Sequence, residues 1–178
     1  YSTPDPERVI REGELMLLDT GAYYAEGYAT DLTRTFLVGG PRVKATDEQK
    51  RIFTLVLKSA IAGMTAVVPV GAPGIALDAI TRKPLWDAFL TYNHGTGHGV
   101  GINVHEAPPS INMRSTVPVG TGHVFSIEPG VYIAGWGGVR IENLCTAVED
   151  AEHPGWLRIT PLTFSPLDAR LVDARMLD

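Results

Sequence analysis

The sequence predicts an α+β fold, and three observations predict it. Two strand-like runs stand ahead of a pair of helical stretches, further β-branched and aromatic runs follow the helices, and no regular strand–helix alternation joins them. The 178 residues suffice for one well-filled domain and are too few to argue for two. No repeat and no Pro/Gly/Ser-rich linker divides the chain.

Taken in order, "GELMLLDTGAYYAEGYATDLTRTFLVGG" reads as two strands around a turn region rich in Gly and Tyr. "TDEQKRIFTLVLKSAIAGMTAVV" reads as a helix: Thr46 and Gln49 have capping-box spacing, and Ile52, Leu55, Val56, Ala60 and Met64 form an apolar stripe. "VPVGAPG" ends it. "IALDAITRKPLWDAFLTY" is a second helical stretch that Pro84 should kink or divide. The segment around "APPSINMRST" reads as loop. "HVFSIEPGVYI" and "GGVRIENLCTAVED" read as strands, and "WLRITPLTFSPLDARLVD" as a strand with an extended tail.

Composition removes several classes of function. Fifteen basic residues against 20 acidic ones give a net charge of −5 with no basic block, which argues against nucleic acid or a membrane as partner. The longest apolar runs, "LMLL" and "IAGMTAVVPV", fall far short of a spanning helix. Cys145 is the only cysteine, so no internal disulfide forms, and a reducing, cytoplasmic setting is expected. The opening "YSTPDPERVIREGELMLLD" has neither an initiator Met nor a signal-peptide pattern and runs straight into an apolar strand, so a chain trimmed upstream of Tyr1 is expected.

The chemistry concentrates in "NHGTGHGVGINVHEAP", which holds three of the five histidines among glycines that admit close approach of a ligand. One histidine alone is more often structural than functional, so this stretch needs partners. Four carboxylates supply them: Asp19 at the end of "LMLLD", Asp31 in "YATDLTRTF", Glu128 in "VFSIEPGVY" and Glu142 in "GGVRIENL". A carboxylate in an apolar strand costs several kcal/mol unless it is paired or bound to a cation. Any one of the four could be an edge salt bridge; four beside a histidine cluster point elsewhere. Strand alternation puts Asp31, Thr33 and Thr35 on one face, and Arg140 with Glu142 on one face of another strand. Two such faces turned inward would nest four carboxylates whose charge two divalent cations would match. One imidazole with four carboxylates is a hard ligand set that suits Mn²⁺ and accepts Co²⁺, Zn²⁺ or Fe²⁺. Neither a cysteine pair nor HExxH is present.

The motifs "LLDTGAYYAEGYATDLTRTF", "HGTGHGVGINVHEAP", "SIEPGVY" and "GGVRIEN" occur in the order and approximate spacing of the pita-bread metallopeptidases, and the chain resembles that family over nearly its whole length. The resemblance implies a pita-bread α+β fold, here an incomplete C-terminal portion, with residues 1–178 forming an N-terminally truncated catalytic domain. It implies two divalent metal ions, Mn²⁺ first, on Asp19, Asp31, His98, Glu128 and Glu142, with Asp31 and Glu142 touching both. His94 and His105 resemble the family's substrate-contacting histidines, and Thr33 and Arg140 resemble groups that orient its carboxylates. "DLTRTF" and the histidine segment are most similar to the proline-directed branch, and the tail resembles Xaa-Pro aminopeptidases. Two departures touch the specificity pocket: the segment between Asp19 and Asp31 is one residue longer than usual, and the loop between His98 and His105 is shorter.

The implied reaction is hydrolysis between an N-terminal residue and a following proline. Glu128 would act in general acid–base catalysis besides holding metal, and His105 would donate to the developing oxyanion. The rivals are a prolidase restricted to dipeptides and an inactive pita-bread binding module; the survival of all five ligands disfavours the second. The expected partners are a peptide with proline in second position and, for the protein itself, a second copy or the missing upstream segment. Cys145 reads as a buried strand residue, and His123 and His153 as surface or structural.

Overall fold

The computed structural model describes residues 5–177, and the expected continuation upstream of Tyr1 lies outside them. β1 (Leu15–Thr20) and β2 (Leu32–Leu37) form the expected antiparallel pair, with Asp19 opposite Thr33 and Leu17 opposite Thr35. The connection folds into a small turn held by a Tyr23–Ala29 bridge, with Gly27 at φ 91°, a left-handed conformation that suits glycine.

α1 (Asp47–Met64) starts on the expected capping box: Gln49 N–H donates to Thr46 Oγ1 at 3.1 Å, and Thr46 N–H donates to Gln49 Oε1 at 2.9 Å. The buried face is Ile52, Phe53, Val56, Leu57 and Ala60, rotated from the expected stripe so that Leu55 and Met64 lie at its edge. It packs on Leu37, Val139, Ile141 and Leu171. Each large side chain so buried contributes about 1.5–3 kcal/mol, against about 1 kcal/mol for the cap, so packing rather than capping holds the helix.

The predicted helix is too long at its end: Val67–Pro69 is a strand, β3, paired through Val68 to Leu157. α2 (Gly74–Trp86) packs against α1, and its first donors find carbonyls outside the helix, Gly74 N–H on Val117 and Ile75 N–H on Ser115. A Cβ on Gly74 would meet Ser110 O at 2.0 Å, so glycine permits this approach. Pro84 sits in the last turn and divides nothing; the chain leaves at Trp86, and Leu90 N–H closes on Leu85 O.

The main sheet is antiparallel in the order β3, β10 (Trp156–Pro161), β9 (Asn143–Glu149), β6 (Val124–Ile127), β4 (Gly97–Gly99), β5 (Glu106–Ile111). Here the structure corrects three expectations. The histidine segment contains a short strand, β4 (Gly97–Gly99), and the supposed loop after it is β5 (Glu106–Ile111). Pro108 and Pro109 cannot donate to a ladder, yet β5 lies at the sheet edge and they fall at a register shift between His98 and Gly99 of its partner. "HVFSIEPGVYI" is not one strand but β6 (Val124–Ile127) and β7 (Gly130–Ile133); "GGVRIENLCTAVED" likewise splits into β8 (Gly137–Arg140) and β9 (Asn143–Glu149). β7 and β8 pair only with each other, so the chain leaves the main sheet at Glu128–Pro129 and rejoins it at Ile141–Glu142. β10 (Trp156–Pro161) completes the sheet, and two short 3-10 turns close the tail.

Between β9 and β10, Asp150 is buried and accepts from His153 Nδ1 (3.0 Å), from the backbone N–H of Glu152 and His153 (both 2.9 Å), and from Arg158 Nε. The His153 bond, with these others, holds its carboxyl at about 2, below its ordinary 3.8. A depressed carboxyl contributes stability that is full above its unfolded value and lost as pH falls through the folded one. The thermal unfolding temperature should therefore fall between pH about 4 and about 2, and Asp150→Asn should flatten that portion of the profile; an unchanged slope would contradict this role.

Candidate metal centre

The two points where the chain changes sheet bring Glu128 and Glu142 together, and the β1–β2 ribbon lays Asp19 and Asp31 against them. The link is direct: Glu142 N–H donates to Thr33 O at 3.1 Å, and Thr35 Oγ1 donates to Arg140 O at 2.9 Å. β4 supplies His98 from the other side, its N–H held by Ser126 Oγ at 3.1 Å. All five residues line one cleft of about 750 Å³, together with His94, His105 and Arg140. Their ligand atoms fall into three overlapping groups able to hold an ion: Asp19 with Asp31 and Glu142; His98 with Glu128 and Glu142; and Asp31 with His98 and His105.

His98 gives the sharpest test of whether a cation fits. Its Nδ1 lies 3.1 Å from Gly99 O, and a carbonyl can only accept, so Nδ1 carries the hydrogen. Burial lowers the pKa of the imidazole and favours the neutral ring. Nε2 then presents a lone pair to Glu128 Oε1 at 3.3 Å and Asp31 Oδ2 at 3.5 Å. Three acceptors facing one another repel unless something positive lies among them. Glu142 repeats the pattern: Oε2 accepts from Thr33 Oγ1 at 2.7 Å, whereas Oε1 is buried with no hydrogen-bond partner among the described residues.

Charge and burial agree with this geometry. Burial pushes the Glu142 carboxyl up to about 8, with the Glu128 charge adding to it and the Thr33 bond opposing it. Burial likewise lifts Glu128 to about 7, against a bond from Ser126 and the charge of Arg140. Asp31 is raised by burial, with His98 opposing and Asp19 reinforcing. Such a cluster must take up protons or bind cations to exist away from water. Oxygen-rich donors with one imidazole fit a pair of divalent cations.

Thr33 and Arg140 lie against the carboxylates. Arg140 Nη2 donates to Asp19 Oδ2 at 2.6 Å and Nε to Thr33 Oγ1 at 3.2 Å, joining two of the carboxylates. His94 lines the cleft 2.9 Å from Tyr132 OH and donates Nδ1–H to Gly95 O at 2.7 Å. His105 is exposed at the cleft, its ring centroid 4.1 Å from that of His98. His123 accepts from Gly120 N–H and His153 serves Asp150, both outside the cleft, and Cys145 is buried in β9.

Sequence reading missed Tyr132, Ser126 and Arg34. Tyr132 OH accepts from Arg140 Nη1 at 2.9 Å and so directs its own hydrogen to His94 Nε2. Ser126 Oγ donates to Glu128 Oε1 at 3.1 Å. Arg34 spends its donors on Thr33 O, Glu142 O, Asn143 Oδ1, Ser165 O and Pro166 O. The one available signal was parity: Ser126 lies two residues before Glu128 and shares its face.

Residues 1–149 match the profile of the family described as Metallopeptidase family M24. The probable Xaa-Pro aminopeptidase P of Aspergillus niger is 45% identical over 180 residues, which cover 95% of this chain and 28% of that protein. The X-prolyl aminopeptidase from Caenorhabditis elegans, described as a cytosolic enzyme with a di-nuclear active site, superposes with a TM-score of 0.83 at 39% identity over 92% of this chain and 27% of its own. The Xaa-Pro dipeptidase from Bacillus anthracis superposes with a TM-score of 0.77 at 36% identity, covering 91% of this chain and 42% of its own. This chain therefore spans little more than a quarter of the curated relatives' length. The α+β arrangement expected from the sequence is the one these structures share. Among the described residues no helix is long and apolar enough to cross a membrane.

A cation that binds only the folded cluster stabilises it by mass action, about 2.7 kcal/mol at a hundredfold excess over Kd. At roughly 2–4 °C per kcal/mol for a domain of this size, a divalent cation held by the cluster should raise the unfolding temperature by roughly 5–10 °C. Glu142→Gln keeps an acceptor for Thr33 but removes the charge, so it should lose most of that gain. Equal gains in both proteins, read by calorimetry, would place the cation elsewhere.

Proposed function

The chain belongs to metallopeptidase family M24, and from that footing we propose that residues 1–178 are catalytic domain of a two-cation aminopeptidase that releases an N-terminal residue from a following proline. The observation that carries the reading is the convergence of Asp19, Asp31, His98, Glu128 and Glu142 in one cleft, with unpartnered lone pairs on His98 and Glu142 turned inward. The identity to a relative named Xaa-Pro aminopeptidase P supports the proline-directed branch. Mn²⁺ is the proposed ion, for the hardness of the donor set. The proposed setting is cytoplasmic, and the proposed partners are the proline peptide and either a second copy or further chain.

When bound, the cations would supply Lewis acidity toward the scissile carbonyl and toward a water. The chain's own groups do the rest. Asp19, Asp31, His98, Glu128 and Glu142 would hold the ions. Glu128, steadied by Ser126, takes a proton from the attacking water and returns it to the leaving imino nitrogen. His105, exposed at the cleft, donates to the oxyanion or to the carbonyl on the proline side. His94 shapes the place where proline sits. Arg140 and Thr33 keep the carboxylates in register. The prolidase reading differs only in how much peptide follows proline, and the Bacillus anthracis neighbour gives it standing.

The test divides the histidines in the full-length protein, on a proline-containing tripeptide and on an Xaa-Pro dipeptide. His98→Ala should lower metal content and abolish turnover together. His105→Ala should keep both ions and lose about 2.7–4 kcal/mol of transition-state stabilisation, roughly 10²–10³ in rate. His94→Ala should act more on KM, since a positioning contact binds ground and transition states alike. Retention of both ions by His98→Ala alongside loss of one by His105→Ala would reverse the assignment, and turnover of the dipeptide alone would select the prolidase.

A further inference from the structure

Beneath the cleft lies an ion pair that the reaction scheme leaves unused. Asp78 and Arg82, one turn apart on α2, are each 1% exposed, with Arg82 Nε 2.8 and 3.0 Å from the two oxygens of Asp78. The rest of the guanidinium points away from the helix. Nη1 donates to Tyr92 O at 2.9 Å, Nη2 donates to His94 O at 2.7 Å, and the group lies over the Tyr92 ring at 3.7 Å. Asp78 Oδ1 also accepts from Thr96 Oγ1 at 2.5 Å. That hydroxyl has spent its hydrogen, so Tyr92 OH, 2.5 Å away, must donate to it. Burial pushes the Tyr92 phenol up, which keeps its hydrogen in place.

Residues 92–96 lie outside any strand, so two of their carbonyls depend on Arg82 for partners. An apolar pair would fill the volume at less cost in desolvation, but it would leave those carbonyls without donors. Two residues of the cleft hang on this segment. The His94 ring follows its own backbone, fixed at the carbonyl by Arg82. Glu128 N–H donates to Thr96 O at 2.8 Å, so the carboxylate beside His98 is set from the same segment.

We propose that Asp78 and Arg82 are positioning residues that fix the residue 92–96 segment and so set the His94 imidazole for peptide binding. This rests on the peptidase reading of the cleft. The test uses the full-length protein loaded with Mn²⁺ and a proline-containing tripeptide. Arg82→Lys keeps a positive charge beside Asp78 and gives up the fork to the two carbonyls. KM should rise roughly tenfold with kcat within about twofold and both ions retained. In a His94→Ala background the same substitution should move KM by less than about twofold, because coupled sites are not additive. An equal rise in both backgrounds, or no rise in either, overturns the proposal. Should Arg82→Lys fail to fold, Tyr92→Phe removes a single hydroxyl from the same chain of bonds and is held to the same non-additivity. Amide hydrogen exchange separates this proposal from the reading beneath it. Wild-type protein that turns over no proline peptide defeats the peptidase reading. Faster exchange at Glu128 and over residues 94–98 in Arg82→Lys then upholds the positioning role, and exchange at the wild-type rate overturns it.

Discussion

Withdrawing carboxylates from water is the constraint on which the rest of this structure depends. Glu142 is 1% exposed and Glu128 and Asp31 are mostly enclosed, and burial raises the affinity of all three for protons, with neighbouring carboxylates adding to it. Nothing in an apolar core compensates such a group. The fold meets part of the cost by directing donors at three of the four carboxylates: Thr33 at Glu142, Ser126 at Glu128, Arg140 at Asp19. It leaves one oxygen of Glu142 and one nitrogen of His98 facing the cleft. Those unspent lone pairs are what make the cluster a candidate binding site and not merely an ionic knot.

Strand topology delivers the groups. A side chain in mid-strand shares its surroundings with neighbours two residues away, whereas one at the end of a strand can stand apart from both sheets. Glu128 and Glu142 occupy such ends, at the exit from and return to the main sheet. The β1–β2 ribbon reaches across to that gap through Thr33 and Thr35. β4 is only three residues long, and its glycines let it pass close to neighbouring backbone: a Cβ on Gly97 would meet Ser126 O at 1.8 Å. This close approach gives the glycines of the histidine segment a structural reason beyond room for a ligand.

The four carboxylates could be read from the sequence because an acid inside an apolar run has few explanations. The pairing of Thr46 with Gln49 was equally plain, since a cap is a local bond. The limits were set by relations that are not local. "SIEPGVY" looks continuous in hydropathy, and only the pairing partners reveal that the strand changes sheet at Pro129. Two prolines made "EAPPSI" look like loop, because a sequence does not say which strand will be the edge. Asp78 and Arg82 have the spacing of an ordinary solvated helix pair, and nothing local announces that both will be buried. Tyr132 and Arg34 are ordinary strand residues until their partners are known.

Arg34 has a consequence for the order in which the molecule is built. Its guanidinium gathers backbone and side-chain oxygens from its own strand, from the Glu142–Asn143 corner and from Ser165 and Pro166 in the tail. The corner and tail partners lie more than a hundred residues from Arg34 in sequence, as Glu142 does from Thr33. Closing loops of that length costs chain entropy before any bond repays it. The cleft is therefore among the last parts of the chain to acquire its shape, after the helices and the short hairpins. On the proposed reading, a cation arriving early would meet scattered carboxylates with little to offer it, so its binding would follow folding and not guide it.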